Sequence, residues 1–293
     1  MGKVESTAGI LVALTLGVLI SIAGSQGGSE LYGIPVFALC AILAFSIQWI
    51  AYIPAYIFHT EIYYDITGGV TYLSVIALAL LSHISLNDEL SQGILLIALL
   101  CSLWALRLSS FLFLRVKKAG SDRRFNKMKF NALQFLMTWT IQGLWVVVTL
   151  SAGLAAMTSG EDIPLGLMAY LGAAIWLVGF SIEVVSDRQK SAFRKSDESG
   201  FIQTGLWSWS RHPNYFGEIL LWLGIAVIAY PALEGWRLLT LISPIFVFVL
   251  LVFVSGVKML EKSSLRRWGE DKAYLAYLER TSILVPLPPS SKI

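Results

Sequence analysis

The chain has 293 residues, 56% of them hydrophobic and 14% charged, where a soluble domain carries about 25% charged residues. One soluble core of this length cannot bury that much apolar surface, so the composition points to an integral membrane protein. A formal net charge of +3 is too small to argue for nucleic acid, and its distribution matters more than its size.

Membrane helices need about 20 apolar residues. In chain order they are predicted over Thr7–Gly24, Ile34–Phe58, Gly68–Ser85, Ser91–Leu114, Ala132–Met157, Pro164–Val185, Phe216–Tyr230 and Trp236–Val257. Lys3 and the small residues Gly24 and Ser25 also suit a cleaved signal peptide, but an uncleaved first span fits the topology better. Cys40 and Cys101 lie inside apolar runs and read as buried helix thiols, without disulfide or metal spacing; no metal site is expected. The seventh span is short, opened by Gly217 and Glu218 and ended by Pro231. The fold class expected is an all-α integral membrane bundle of about seven or eight transmembrane helices with cytoplasmic polar loops.

The loops alternate in charge. Arg115, Lys117, Lys118, Arg123, Arg124, Lys127 and Lys129 face one acid, Asp122, in the loop before Ala132. Arg188, Lys190, Arg194, Lys195 and Arg211 mark the loop ending at His212, and Lys258, Lys262, Arg266, Arg267, Lys272 and Arg280 mark the tail. The alternate loops, Ser25–Glu30, Asn87–Glu89, Glu161–Asp162 and Glu234, are neutral or acidic. Lys and Arg mark the cytoplasmic side, which puts both termini and three basic regions in the cytoplasm. No internal repeat is present, which argues against a transporter built from paired half-helices. The tail from Pro286 to Ser291 reads as an extended end.

Three polar constellations stand out. Ser186 to Arg194 continues the sixth span; on a helix Asp187, Lys190 and Arg194 follow one face. Next, Trp207-Ser208-Trp209-Ser210-Arg211-His212-Pro213-Asn214-Tyr215-Phe216-Gly217-Glu218 is aromatic and basic in a mostly apolar chain. Pro213 suits the first turn of a helix, so Arg211 and His212 would flank a helix N-terminus, a place that binds phosphate. Trp207, Trp209 and Tyr215 offer flat faces to a base, and Glu218 enters the membrane, where a carboxylate is costly and usually functional. The third constellation is Glu261 with Trp268 to Arg280, an amphipathic cytoplasmic helix carrying Tyr274 and Tyr277.

The stretch Arg211 to Glu218, preceded by Gly205-Leu206-Trp207 and followed by Arg280-Thr281-Ser282-Ile283-Leu284-Val285-Pro286, resembles the membrane reductases related to steroid 5α-reductase, and within them a bacterial branch of uncharacterised membrane proteins. Gly120 to Phe125 and Gln142-Gly143 agree with it. The resemblance implies an NADPH-dependent oxidoreductase acting on CH–CH groups, 3-oxo-5α-steroid 4-dehydrogenase-like. Residues 1–115 would form the lipid-substrate pocket and residues 116–293 the cofactor-binding reductase domain. It places cofactor contacts on Asp187, Arg194, Asn214 and Glu218, with further matches at Arg124, Trp209, Tyr274 and Arg280; Lys190, Arg211, His212 and Tyr215 join them from the residue reading. The substrate half departs from the family: no Gln-Glu pair is present, Tyr52 stands where the Glu would be, and Trp104 where a later Tyr would be. The stretch His59 to Asp65 is expected to supply the missing acid through Glu61 or Asp65, four apart and able to share a helix face.

The mechanism expected is hydride transfer from NADPH to the β-carbon of a lipophilic enone that enters from the bilayer. Tyr52, Glu61, Tyr63, Asp65, Trp104 and Arg107 are the candidates around the developing enolate. An S-adenosylmethionine-dependent methyltransferase of the isoprenylcysteine or phospholipid type is the alternative, since those enzymes carry a similar Arg-His-Pro-x-Tyr-x-Gly stretch. A non-catalytic lipid-binding protein is the third. The location expected is a bacterial inner membrane, if the source is bacterial, with the cofactor site and C-terminus facing the cytoplasm.

Overall fold

The computed structural model describes residues 2–87, 91–196 and 200–289. Glu89 of the expected acidic loop, and Ser290 and Ser291 of the tail, lie outside the described residues. Among these, the helices run in the order α1 (Lys3–Ser25), α2 (Val36–Ile57), α3 (Tyr64–Leu86), α4 (Gln92–Ala119), α5 (Ala132–Met157), α6 (Leu167–Ser196), α7 (Pro213–Ala229), α8 (Ile242–Val249), α9 (Val257–Trp268) and α10 (Lys272–Arg280). A two-stranded antiparallel hairpin, β1 (Glu30–Leu31) and β2 (Ile34–Pro35), joins α1 to α2. Eight segments are long and apolar enough to cross a membrane, matching the predicted spans in number and order. The protein is an all-α integral membrane bundle.

Several boundaries differ from those read in the sequence. Helix α3 starts at Tyr64 instead of Gly68, α4 runs to Ala119, and α6 persists to Ser196. Hydropathy marks only the apolar part of a span, whereas Arg, Lys, Glu and Ala keep the helix going beyond it. The last span is not one helix. It begins as a 3-10 segment, Gly235–Leu241, continues as α8, widens to a π turn over Leu250–Val254, and restarts as α9 after Gly256. A Cβ at Gly256 would meet the Leu251 carbonyl oxygen and stand 2.8 Å from the Tyr215 ring, so the break needs a glycine.

The chain packs as two compact units. Residues 1–170 with 225–243 form the first, and residues 171–224 with 244–293 the second. The division expected at residue 115 is one of roles; packing groups the helices differently.

In the first unit α5 is central: 83% of its apolar window is buried, against 28–44% for α1 to α4. Its sequence explains this. From Val146 to Met157 it is apolar or small on every face, with Ala152, Gly153, Ala155 and Ala156 allowing close approach. A Cβ at Gly153 would stand 2.9 Å from Ile97, and one at Gly143 2.8 Å from Phe45.

In the second unit α6 and α7 cross antiparallel at a glycine seam. A Cβ at Gly217 would stand 2.7 Å from the Glu183 backbone nitrogen, and one at Gly224 2.7 Å from that of Trp176. Backbones this close bring the polar ends of the two helices into hydrogen-bonding range.

Candidate functional site

In the second unit, a turn and the C-terminal tail build the site. Gly205 adopts φ +63°, which a side chain would strain, and lies against Gln189, whose Oε1 accepts from the Leu206 amide. The 3-10 turn Gly205–Ser208 thus docks on α6 and buries Trp207, whose indole N–H donates to the Ser186 carbonyl. Lys190 lies over the Trp207 ring, 4.9 Å from its centroid. From α10, the Tyr277 hydroxyl donates to the Trp207 carbonyl at 2.8 Å.

The tail then pairs with the next residues. Arg211 N–H donates to the Ser282 carbonyl, the Ser210 hydroxyl to that of Leu284, and the Leu287 amide to that of Trp209. The tail is therefore not a loose extended end: as far as Leu287 it holds the start of α7. That helix begins at Pro213, as the sequence predicts.

Glu261 of α9 clamps the α7 start. Its Oε2 accepts from an Arg211 guanidinium N–H and its Oε1 from His212 Nε2 at 2.8 Å. Burial lowers the His212 pKa, and the Glu261 contact offsets this only in part. The imidazole is thus neutral at neutral pH, with its proton on Nε2, since a carboxylate can only accept. The His212 ring stacks on Tyr215, with centroids 5.6 Å apart. Arg211 Nε is buried without a hydrogen-bond partner. Across the α6–α7 seam, Asn214 donates to Asp187 at 3.4 Å.

These groups line a cavity of about 200 Å³ whose walls include Lys190, Arg194, Arg211, Arg267, Glu261, Tyr274 and Tyr277. Among the described residues that line it, four cationic side chains accompany one acid, a lining that suits an anion. A second cavity, about 460 Å³, is walled by Phe193, Phe201, Gln203, Thr204, Trp268 and Asp271. Phe201 and Trp268 belong to both.

The predicted cofactor residues fall into four groups. Lys190, Arg194, Arg211, His212 and Tyr274 come together at the smaller cavity, while Asp187, Asn214, Tyr215 and buried Glu218 lie on the adjoining helix ends. Trp209 is 45% exposed, and Arg280 is tied to Gln203 at 2.7 Å; neither lines these cavities. Arg124 belongs to the first unit. The sequence reading singled out Glu261 without its partners, and it missed Arg267 at the cavity and the buried Glu183 on the α6–α7 seam. Arg267 looked like a topology marker. Glu183, 2% exposed and one turn before Asp187, was detectable as a carboxylate inside an apolar run.

The first unit gathers the predicted substrate residues differently. Glu61 precedes α3 in a turn where His59 has φ +46°, so Glu61 and Asp65 do not share a helix face. Both carboxylates instead meet the basic loop: Glu61 accepts from Lys129 Nζ at 2.8 Å and from the Asp122 amide at 2.9 Å. Asp65 lies 3.9 Å from Arg124, which also binds Asp122. Burial opposes ionisation of Asp122, but its Arg124 hydrogen bonds outweigh this and hold its pKa below the usual value. With both oxygens engaged, Glu61 is a staple between loops and is poorly placed to donate a proton.

Tyr52 and Tyr63 join an aromatic cluster with Tyr56, Tyr64, Phe125, Phe135 and Trp139. Their hydroxyls donate to the Ala132 and Ala51 carbonyls at 3.1 and 3.4 Å. Trp104 is buried against Tyr72, and the Arg107 guanidinium lies over Phe111.

An uncharacterized protein of Schizosaccharomyces pombe, C594.04c, is 22% identical over 216 residues, covering 63% of this chain and 61% of its own. The 3-oxo-5-alpha-steroid 4-dehydrogenase 1 of Bos taurus is 36% identical over 67 residues, 22% of this chain and 26% of its own. The Rattus norvegicus protein of that name is 29% identical over 117 residues, 39% and 40% respectively. The chain thus spans less than two thirds of each of these relatives. No solved structure matches it. The model of a family described as protein of unknown function (DUF1295) matches residues 51–281, well over half of the chain. The chain belongs to the DUF1295 family.

Proposed function

We propose that this protein is a membrane-embedded, NADPH-dependent reductase of a C=C bond in a lipophilic enone, steroid- or isoprenoid-like. The observation that carries the reading is the cavity at the α7 start, where Lys190, Arg194, Arg211 and Arg267 surround one acid beside buried aromatic walls. That donor set fits a dinucleotide phosphate: guanidinium groups match phosphate oxygens bidentately, and flat rings accept a base. Partial similarity to proteins named 3-oxo-5-alpha-steroid 4-dehydrogenase supports reductase chemistry over the alternatives.

In this reading Lys190, Arg194 and Arg211 hold phosphates, with Glu261 fixing the direction of Arg211. Asn214 and Glu218 orient the ribose or carboxamide. Bound NADPH would supply the hydride. The lipophilic substrate comes from the bilayer, and the Tyr52–Tyr63 cluster is the candidate surface for its polar end. The excess of Lys and Arg in the loops that carry the site faces it, with the C-terminus, to the cytoplasm.

The test is a titration of purified protein in detergent with NADPH, NADH and S-adenosylmethionine, following thermal stabilisation, which ligand binding must produce. Stabilisation by NADPH that is lost in Arg194→Ala and Asn214→Ala supports the reading. Stabilisation by S-adenosylmethionine alone overturns it in favour of a methyltransferase.

A further inference from the structure

The two cavities of the second unit have opposite linings. The smaller is lined by four cations, while the larger is walled by Phe193, Phe201 and Trp268 with Gln203, Thr204 and Asp271, and no cation is among the described residues that line it. Asp271 caps α10 by accepting from the Ala273 amide, and Gln203 accepts from Arg280. A phosphate is repelled by the Asp271 carboxylate, whereas an aromatic base with an exocyclic amine finds stacking faces and acceptors there. The pair of cavities therefore sorts a nucleotide: base in the larger, phosphates in the smaller.

Arg267 stands at the junction. Its guanidinium stacks on Trp268, 4.8 Å from the ring centroid, and Trp268 walls both cavities while Arg267 lines only the cationic one. In a dinucleotide the group next to the base is the ribose, and its 2′-substituent separates NADPH from NADH. A cation held flat against the wall that divides base from phosphates faces that substituent. Stacking also fixes the guanidinium plane, so little side-chain freedom remains to be lost on binding.

We propose that Arg267 is the specificity-determining residue for a 2′-phosphate, with the adenine seated in the Phe193–Phe201–Trp268 cavity. This rests on the nucleotide reading above and deepens it: it assigns the 2′-phosphate to one side chain.

The experiment measures dissociation constants of NADPH, NADH and adenosine 2′,5′-bisphosphate for the full-length protein in detergent, by ligand-dependent thermal shift and by nucleotide fluorescence. Wild type is compared with Arg267→Gln, Arg267→Lys and Arg266→Gln. Loss of one charge-assisted contact weakens NADPH and the bisphosphate at least about tenfold in Arg267→Gln. NADH affinity should stay within about twofold, Arg267→Lys should fall between, and Arg266→Gln, which lines neither cavity, should match wild type. Equal weakening of NADPH and NADH in Arg267→Gln, or equal affinities in wild type, overturns the assignment and leaves the nucleotide reading standing. Failure of wild type to bind any of the three removes both.

Discussion

Each unit contains a carboxylate that bridges two partners from other segments, and the two behave differently. Glu61 is matched by Lys129 and a backbone amide, and its side chain is 1% exposed. Glu261 also takes two partners, Arg211 and His212, and Lys190, Arg194 and Arg267 line the same cavity. A saturated acid ties loops together. An acid outnumbered by cations beside a cavity orients them for an anion that comes from outside. Charge count around a cavity separates the two roles where the presence of an ion pair does not.

The largest expected effect is on the staple. Glu61→Ala leaves Lys129, 17% exposed, and the Asp122 amide without their acceptor and should cost about 3–4 kcal/mol in unfolding free energy, read from denaturation in detergent. An effect below about 1 kcal/mol would make the pair an ordinary surface contact. Glu261→Ala should cost less, about 2–3 kcal/mol, because the pair it breaks is already partly screened, Glu261 being 21% exposed against 1% for Glu61.

A smaller effect follows from His212. Its folded pKa lies below the ordinary 6.5, so the unfolded chain takes up the proton first as pH falls. Its contribution to stability is therefore complete above the unfolded value and is lost as pH drops from there toward the folded value. Melting temperature should decline below about pH 6.5, and His212→Gln should remove part of that decline. An identical pH profile in the variant would mean that His212 binds its proton equally well in the folded and unfolded chain, so that folding does not depress its pKa.

The sequence shows much of the fold but less of the site. Span number and order follow from apolar length, and the start of α7 follows from Pro213, because each depends on neighbours along the chain. The break of the last span at Gly256 does not: an apolar run reads the same whether its turns are 3-10, α or π. Glu261 and Arg211 are fifty positions apart, and no local pattern states that α9 returns to the α7 start. For the same reason Arg267 looked like a topology marker until the cavity gave it a neighbourhood. Glu61 and Asp65 misled because a four-residue spacing implies a shared face only inside a helix, and α3 begins between them.

Two lysines test the central claim most directly, because both sit in ion-rich surroundings and only one lines a cavity. The measurement is the NADPH dissociation constant of Lys190→Ala and Lys129→Ala beside wild type, at one ionic strength. The account predicts about tenfold weaker binding for Lys190→Ala. Lys129→Ala should bind NADPH like wild type while losing stability. Weakening in Lys129→Ala as large as in Lys190→Ala, or none in Lys190→Ala, would contradict it.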